Sequence, residues 1–136
     1  MYAAITGWGS GIPEKVLTNF DLEKFVDTTD EWITTRTGIR ERHVAGDHET
    51  TATLSVTAAR QAIARANISP SQIDLVICCT SSPDFIFPAT ACIIQNEIGP
   101  GNAGALHLEP ARPVFSSGIT VGTQCVKSGT ARDLPI

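Results

Sequence analysis

Residues 73–80 read Ile-Asp-Leu-Val-Ile-Cys-Cys-Thr, a near-continuous apolar run. Such a run suits a strand covered on both faces, because a half-exposed strand would alternate apolar and polar residues. A strand covered on both faces needs helices above and below it, the arrangement of α/β proteins with parallel sheets. The flanking segments fit. Thr50 or Thr51 can cap a long helix whose residues Leu54, Ala58, Ala62, Ile63 and Ala66 follow helical spacing, with a turn over Asn67–Ser71. After Ser81-Ser82-Pro83, Pro88 sits at the first turn of a helix running to Glu97 and closed by Gly99. Residues 104–118 then read as a short strand, a sharp turn and the start of a helix that ends at Ser128-Gly129.

The N-terminal third is less regular. Residues 2–12 read as a strand interrupted by Gly7, Gly9 and Gly11, which no helix follows, so they mark close backbone approach or a bulge rather than a phosphate loop. Thr18-Asn19 opens a short helix with Asp21 and Glu23 in its first turn and Leu22, Phe25 and Val26 on one face. A second helix spans Thr29–Thr37, with Gly38 as its cap. Ile39–Glu49 is polar and reads as a loop, in which Arg40, Arg42 and His43 are balanced by Glu41 and Glu49. The whole chain, 1–136, reads as one α/β unit.

Composition narrows the possible roles. The 136 residues are 42% hydrophobic and 18% charged, with a net charge of −4, which points to a globular chain. Without a Lys/Arg run, neither nucleic acid nor an anionic membrane is an expected partner. No signal-peptide pattern opens the sequence, and no apolar run approaches the roughly 18 residues of a membrane span, so a cytoplasmic protein is expected. Cys78, Cys79, Cys92 and Cys125 show no metal-ligand spacing and read as buried free thiols. His48 and His107 read as surface or satisfied structural residues, and no metal or tightly held cofactor is expected.

Four strings go beyond fold class: Gly7–Asn19 (GWGSGIPEKVLTN), Asp27–His43 (DTTDEWITTRTGIRERH), Phe87–Cys92 (FPATAC) and Val126–Arg132 (VKSGTAR). Together they resemble the N-terminal part of β-ketoacyl-acyl-carrier-protein synthase III, the condensing enzyme that initiates type II fatty acid synthesis. The resemblance implies a thiolase-like fold of two similar α/β halves in a homodimer, with a Cys-His-Asn active site. The cysteine takes an acetyl group from acetyl-CoA, and malonyl-acyl-carrier protein then condenses with loss of carbon dioxide. About the first two-fifths of such an enzyme is expected here, without the half that carries the histidine and asparagine.

By the same resemblance, Thr28, Trp32 and Arg36 lie at the mouth of the CoA tunnel, with the indole on adenine and the guanidinium near phosphate. Phe87 would reach across the dimer into the partner's acyl pocket; a hydrophobic staple before the following helix is the other reading. The family's nucleophile string, D-x-x-A-A-C-S-G-F, aligns with His107–Phe115, which puts Arg112 at the cysteine position. Arginine stays protonated and cannot attack a thioester, so no catalytic residue is assigned and the chain alone is expected to be inactive. The departures cluster between His107 and Ser117, as a compensated reading-frame slip would produce; the nucleotide sequence through this stretch decides that point.

Two other readings stand beside the enzyme fragment. One is a module that binds CoA or an intact synthase. The other is a non-functional product whose apolar sheet edge, Ile73–Thr80, lies open and drives aggregation.

Overall fold

The computed structural model describes residues 2–99, 101–109 and 114–136. The chain divides into two units, one formed by Ile12–Glu49 and the other by Met1–Gly11 together with Thr50–Ile136.

In the smaller unit, strand β1 (Val16–Thr18) leads directly into helix α1 (Asn19–Leu22). Thr18 caps that helix reciprocally: its hydroxyl accepts from the Asp21 amide, and the Asp21 carboxylate accepts from the Thr18 amide. The Lys24 ammonium, followed by the Thr18 hydroxyl and amide, holds the Asp21 carboxyl well below the usual carboxylate range. This depressed value makes the cap's contribution complete above the ordinary carboxylate pKa and lost only as pH falls through the lower one. The expected short helix is present, but it stops before Phe25 and Val26, which are exposed.

Helix α2 (Asp30–Thr37) starts at the expected place. The Thr29 hydroxyl accepts from the Trp32 amide, and Gly38, at φ 73°, closes the helix in the left-handed region. The segment expected to be a loop differs. Glu41–His43 forms strand β2, antiparallel to β1, with Leu17 opposite Arg42.

The physical reason for this strand is Asn19. Fully buried, its amide donates to Asp30 Oδ1 at 2.8 Å and to the Ile39 carbonyl at 2.8 Å. Arg42 Nη1 donates to Asn19 Oδ1 at 2.7 Å, and the Asn19 amide N–H reaches the Arg40 carbonyl. Arg42 thus pairs with Asn19, and no ion pair of Arg40, Arg42 or His43 with Glu41 or Glu49 occurs among the described residues. His43 Nδ1 donates to the Pro13 carbonyl at 2.6 Å, and Glu49 accepts from the Gly46 amide.

The larger unit is a βαβ arrangement. Strand β3 (Leu75–Cys79) pairs in parallel with β4 (Gly104–Leu108) through helix α4 (Thr90–Ile98). Helix α3 (Thr51–Ala66) precedes them, and α5 (Val114–Ser128) follows. Val76 and Cys78 point into a cluster with Ala52 and Val56 of α3 and Ala91, Ile94 and Ile98 of α4. The opposite face of β3 packs on α5, where Cys79 lies against Gly118. Coverage on both faces explains the unbroken apolar run.

The edge of β3 away from β4 is not open, which counts against the reading of a non-functional product with an exposed sheet edge. Asp74 N donates to the Asp133 carbonyl at 2.9 Å and Ile77 N to the Pro135 carbonyl at 3.0 Å, so residues 133–136 lie along that edge. Leu134 and Ile136 press against α5 where Gly118 and Gly122 leave room. Pro135 accepts a bond there but has no N–H to return.

Helix α3 carries two working faces. Ala52, Val56, Ala59 and Ile63 face the core. Of the five positions expected to form the apolar stripe, Ile63 faces the core, whereas Leu54, Ala58, Ala62 and Ala66 receive the N-terminal segment. A Cβ built on Gly7, Gly9 or Gly11 would lie 2.2 Å from the Ala62 carbonyl oxygen, 2.0 Å from that of Ala58 or 2.1 Å from that of Leu54. Residues 2–12 belong to no strand in the structure, and their glycines mark close approach to a helix. Helix α3 is capped by Thr50 and by the Asp84 carboxylate, which accepts from the Thr51 and Ala52 amides at 2.8 Å each. An anion at a helix N-terminus complements both the unpaired amides and the dipole.

All four cysteines are free; Cys92 is exposed, which corrects the expectation that all are buried. Burial pushes the Cys78 thiol up to about 11, with Cys79 and Asp84 adding smaller effects. The thiolate is the reactive form, so native protein at pH 8 should be alkylated by iodoacetamide at Cys92 and spared at Cys78 until unfolded. Peptide mapping of the labelled protein reads this directly, and native labelling of Cys78 at the Cys92 rate would show the strand to be open.

Candidate functional site

The smaller unit holds an open hollow of about 400 Å³ lined by Val26, Asp27, Thr28, Thr29 and Trp32. Its wall is built by the start of α2. Because Thr29 takes the cap position, Thr28 stays just outside the helix and Trp32 falls one turn inside it. Trp32 is 54% exposed, a large apolar surface for a residue that could have been packed inside. Arg36, one turn further along α2, places its guanidinium carbon 4.9 Å from the Trp32 ring centroid.

This spacing is the helical i,i+4 relation, which brings side chains of α2 together on one face. The stacked guanidinium keeps its donors for an anion and has no ion-pair partner among the described residues. Chemically, the group offers an indole face for a planar ring beside a forked cation that suits phosphate. Three residues singled out in the sequence, Thr28, Trp32 and Arg36, are thus brought together.

Phe87 lies in the larger unit, in the loop before α4. It is 88% exposed, beside the fully exposed Ile86 and the exposed Phe85. That exposure leaves no staple contact, so the alternative reading of Phe87 as helix packing does not hold.

Arg112 lies outside the described residues. Around it, β4 ends at Leu108 and α5 begins at Val114. Cys125 sits within α5, three turns and roughly 16 Å along the axis from Val114.

His107, opposite Cys78 in the β3–β4 register, is partly buried; both of its ring nitrogens are shielded, and neither has a hydrogen-bond partner among the described residues. Its Nε2 lies 3.3 Å from Glu109 Oε1 without hydrogen-bond alignment. The expectation of a surface or satisfied residue is therefore met by His48, which is exposed, and not by His107. No group of metal-ligating side chains occurs among the described residues, and none of their helices is long and apolar enough to cross a membrane.

The sequence did not reveal Asn19 or Asp84 as organising residues. Asn19 followed a good cap residue and read as part of a helix start, and Asp84 looked like an ordinary loop aspartate. Their roles depend on partners 11 to 33 positions away in sequence.

No family model matches the chain. Curated proteins do. Over 133 residues it is 55% identical to the β-ketoacyl-[acyl-carrier-protein] synthase III of Roseiflexus sp. (strain RS-1), covering 98% of this chain and 40% of that protein. It is 49% identical to the protein of the same name from Symbiobacterium thermophilum, covering 92% of this chain and 38% of the relative. Among solved structures, 3-oxoacyl-[acyl-carrier-protein] synthase III from Aquifex aeolicus VF5 matches with TM-score 0.91 and 43% identity, over 96% of this chain and 42% of that one. The priming β-ketosynthase of the R1128 polyketide biosynthetic pathway matches with TM-score 0.91 and 34% identity, over 96% and 39%.

The βαβ frame and these superpositions define an α/β chain of thiolase-like fold. Its sequence is similar to those of β-ketoacyl-[acyl-carrier-protein] synthases III and spans about two-fifths of their length.

Proposed function

We propose that this chain carries the CoA-facing surface of a β-ketoacyl-acyl-carrier-protein synthase III and does not perform the condensation by itself. The family reaction starts cytoplasmic fatty acid synthesis from acetyl-CoA and malonyl-acyl-carrier protein in a homodimer. A thiolate attacks the acetyl thioester and expels CoA; decarboxylation of the malonyl group then supplies the carbon nucleophile that takes the acetyl group. Arg112 stands where the thiolate is needed, and a guanidinium has no electron pair available at neutral pH. Cys125 sits too far along α5 to take its place. The partner-facing role of Phe87 rests on the same resemblance and is supported by its near-complete exposure.

The observation that carries the binding reading is the half-exposed Trp32 with the Arg36 guanidinium stacked on it in the Thr28 hollow. Titrating acetyl-CoA into protein with Trp8 replaced by Phe should give saturable quenching of Trp32 fluorescence. Arg36→Gln should weaken that binding by about tenfold, as expected for about 1.4 kcal/mol lost at a phosphate contact. Raising the salt concentration should weaken the parent and leave the variant less affected, since exposed charges are screened. Unchanged fluorescence at millimolar acetyl-CoA would remove the reading. In a parallel assay, acetyl-CoA with malonyl-carrier protein should release CoA no faster than a protein-free control.

A further inference from the structure

Phe85, Ile86 and Phe87 form an apolar tip that projects into solvent. Ile86 is fully exposed, its two neighbours are mostly so, and none of the three makes a hydrogen bond to a described residue. Leaving three adjacent large apolar side chains in water forgoes the burial that stabilises the rest of the unit.

The base of this tip, by contrast, is tied on both sides. On the incoming side the Asp84 carboxylate uses both oxygens. Its Oδ1 accepts from the Thr51 amide and its Oδ2 from the Ala52 amide, at 2.8 Å each. Thr51 Oγ1 donates to the Ser82 carbonyl at 3.0 Å, a second tie to α3. On the outgoing side, the hydroxyl of the fully buried Thr90 accepts from the Asp84 amide at 3.4 Å. Both ends of the tip therefore close on the same aspartate. Asp84 has no cation paired with it among the described residues, so the amides of α3 are what hold its charge.

Helix α3 does not need so much for its own start. Thr50 already caps it in a reciprocal pair with Thr53, and a carboxylate on one amide would complement the dipole. What the second bond adds is direction. A carboxylate on one amide can swivel, whereas two charge-assisted bonds to successive amides fix its plane. An apolar group fixed before it docks also loses less freedom on binding than one on a mobile loop.

We infer that Asp84 is a positioning residue: locked on the first two amides of α3, its carboxylate sets the direction in which Phe85, Ile86 and Phe87 project toward a partner subunit. The destination of the tip rests on the partner-facing reading of Phe87 given above. The latch itself rests on the hydrogen bonds.

The test compares three variants of the full 136-residue chain by chymotrypsin cleavage after Phe85, each at the same interval below its own melting midpoint. Asp84→Ala removes the latch. Asp84→Glu keeps an anion at the start of α3, but its extra methylene cannot hold both amides without moving the tip. Thr50→Ala removes the other cap of α3 and leaves the latch in place. Cleavage should be about tenfold faster than in the parent for both Asp84 variants, and near the parent rate for Thr50→Ala. Asp84→Glu cut at the parent rate, or Thr50→Ala cut as fast as Asp84→Ala, overturns the proposal, because the stability of α3 alone would then explain the effect. In a second arm, immobilised synthase III of Roseiflexus sp. (strain RS-1) should retain the parent chain and Thr50→Ala, fail to retain Phe87→Ala, and bind Asp84→Glu about tenfold more weakly. Equal retention of Asp84→Glu and the parent overturns the positioning role. No retention of the parent overturns the partner-facing reading of Phe87 and with it the destination of the tip, while the cleavage rates still decide the latch.

Discussion

Gly9→Ala should lower the urea unfolding midpoint of the larger unit more than any surface substitution. The added methyl would sit 2.0 Å from the Ala58 carbonyl oxygen and 2.8 Å from Gln61 Cβ. The obstacle is helix backbone and cannot rotate away, so the N-terminal segment must lift. Lifting it breaks the Ser10–Gln61 and Trp8–Arg65 bonds together. Overpacking alone costs about 1–3 kcal/mol, and the lost bonds add about 0.5–1.5 kcal/mol each. The expected total is about 2–6 kcal/mol, read from urea unfolding followed by circular dichroism. Gly46→Ala is the control, since its new methyl meets only the flexible Glu49 carboxylate at 3.4 Å. Equal midpoints for the two variants would mean that the segment does not lie on α3.

Asn19→Ala should have the second large effect, confined to the smaller unit. The substitution deletes one acceptor and one two-armed donor at a site with no solvent access. It leaves the Arg42 guanidinium without its 2.7 Å partner and the Ile39 carbonyl without its 2.8 Å donor. Unsatisfied buried groups cost about 1–3 kcal/mol each, so a loss of about 3 kcal/mol is expected. Trp32 fluorescence, with Trp8 replaced by Phe, reports unfolding of this unit. Lys24→Ala, which removes only an exposed pair with Asp21, should shift the midpoint little by comparison. If Asn19→Ala proves as mild as Lys24→Ala, the β1–β2 pair is not held by Asn19.

Local signals were legible in the sequence where the physics was local. Thr18, Thr29 and Thr50 announced helix starts because a hydroxyl caps an amide three positions on, and Gly38 and Gly99 announced helix ends. The buried strand was legible because coverage on both faces removes alternation. What failed were inferences that needed distant partners. The polar string at Ile39–Glu49 looked like a loop because β2 is specified by a buried asparagine more than twenty positions earlier. The apolar spacing on α3 was read as one stripe, whereas the alanines at 58 and 62 are small in order to admit backbone.

The site divides in the same way. Trp32 and Arg36 are singled out by the resemblance, and their i,i+4 spacing on α2 accounts for the 4.9 Å stacking found. The shielded ring nitrogens of His107 could not be anticipated, because only the β3–β4 pairing places it opposite Cys78.

The fit of the N-terminal segment on α3 has a consequence for permitted chain length. Two extended residues advance about 6.6 Å and four helical residues about 6.0 Å, so each second residue meets a new carbonyl. The two periods match only in steps of two. Deleting one residue between Gly7 and Gly11 would swing Trp8 or Ser10 onto a helix surface that accepts no side chain, whereas deleting two would restore the phase. Length variation in this segment should therefore come in even numbers.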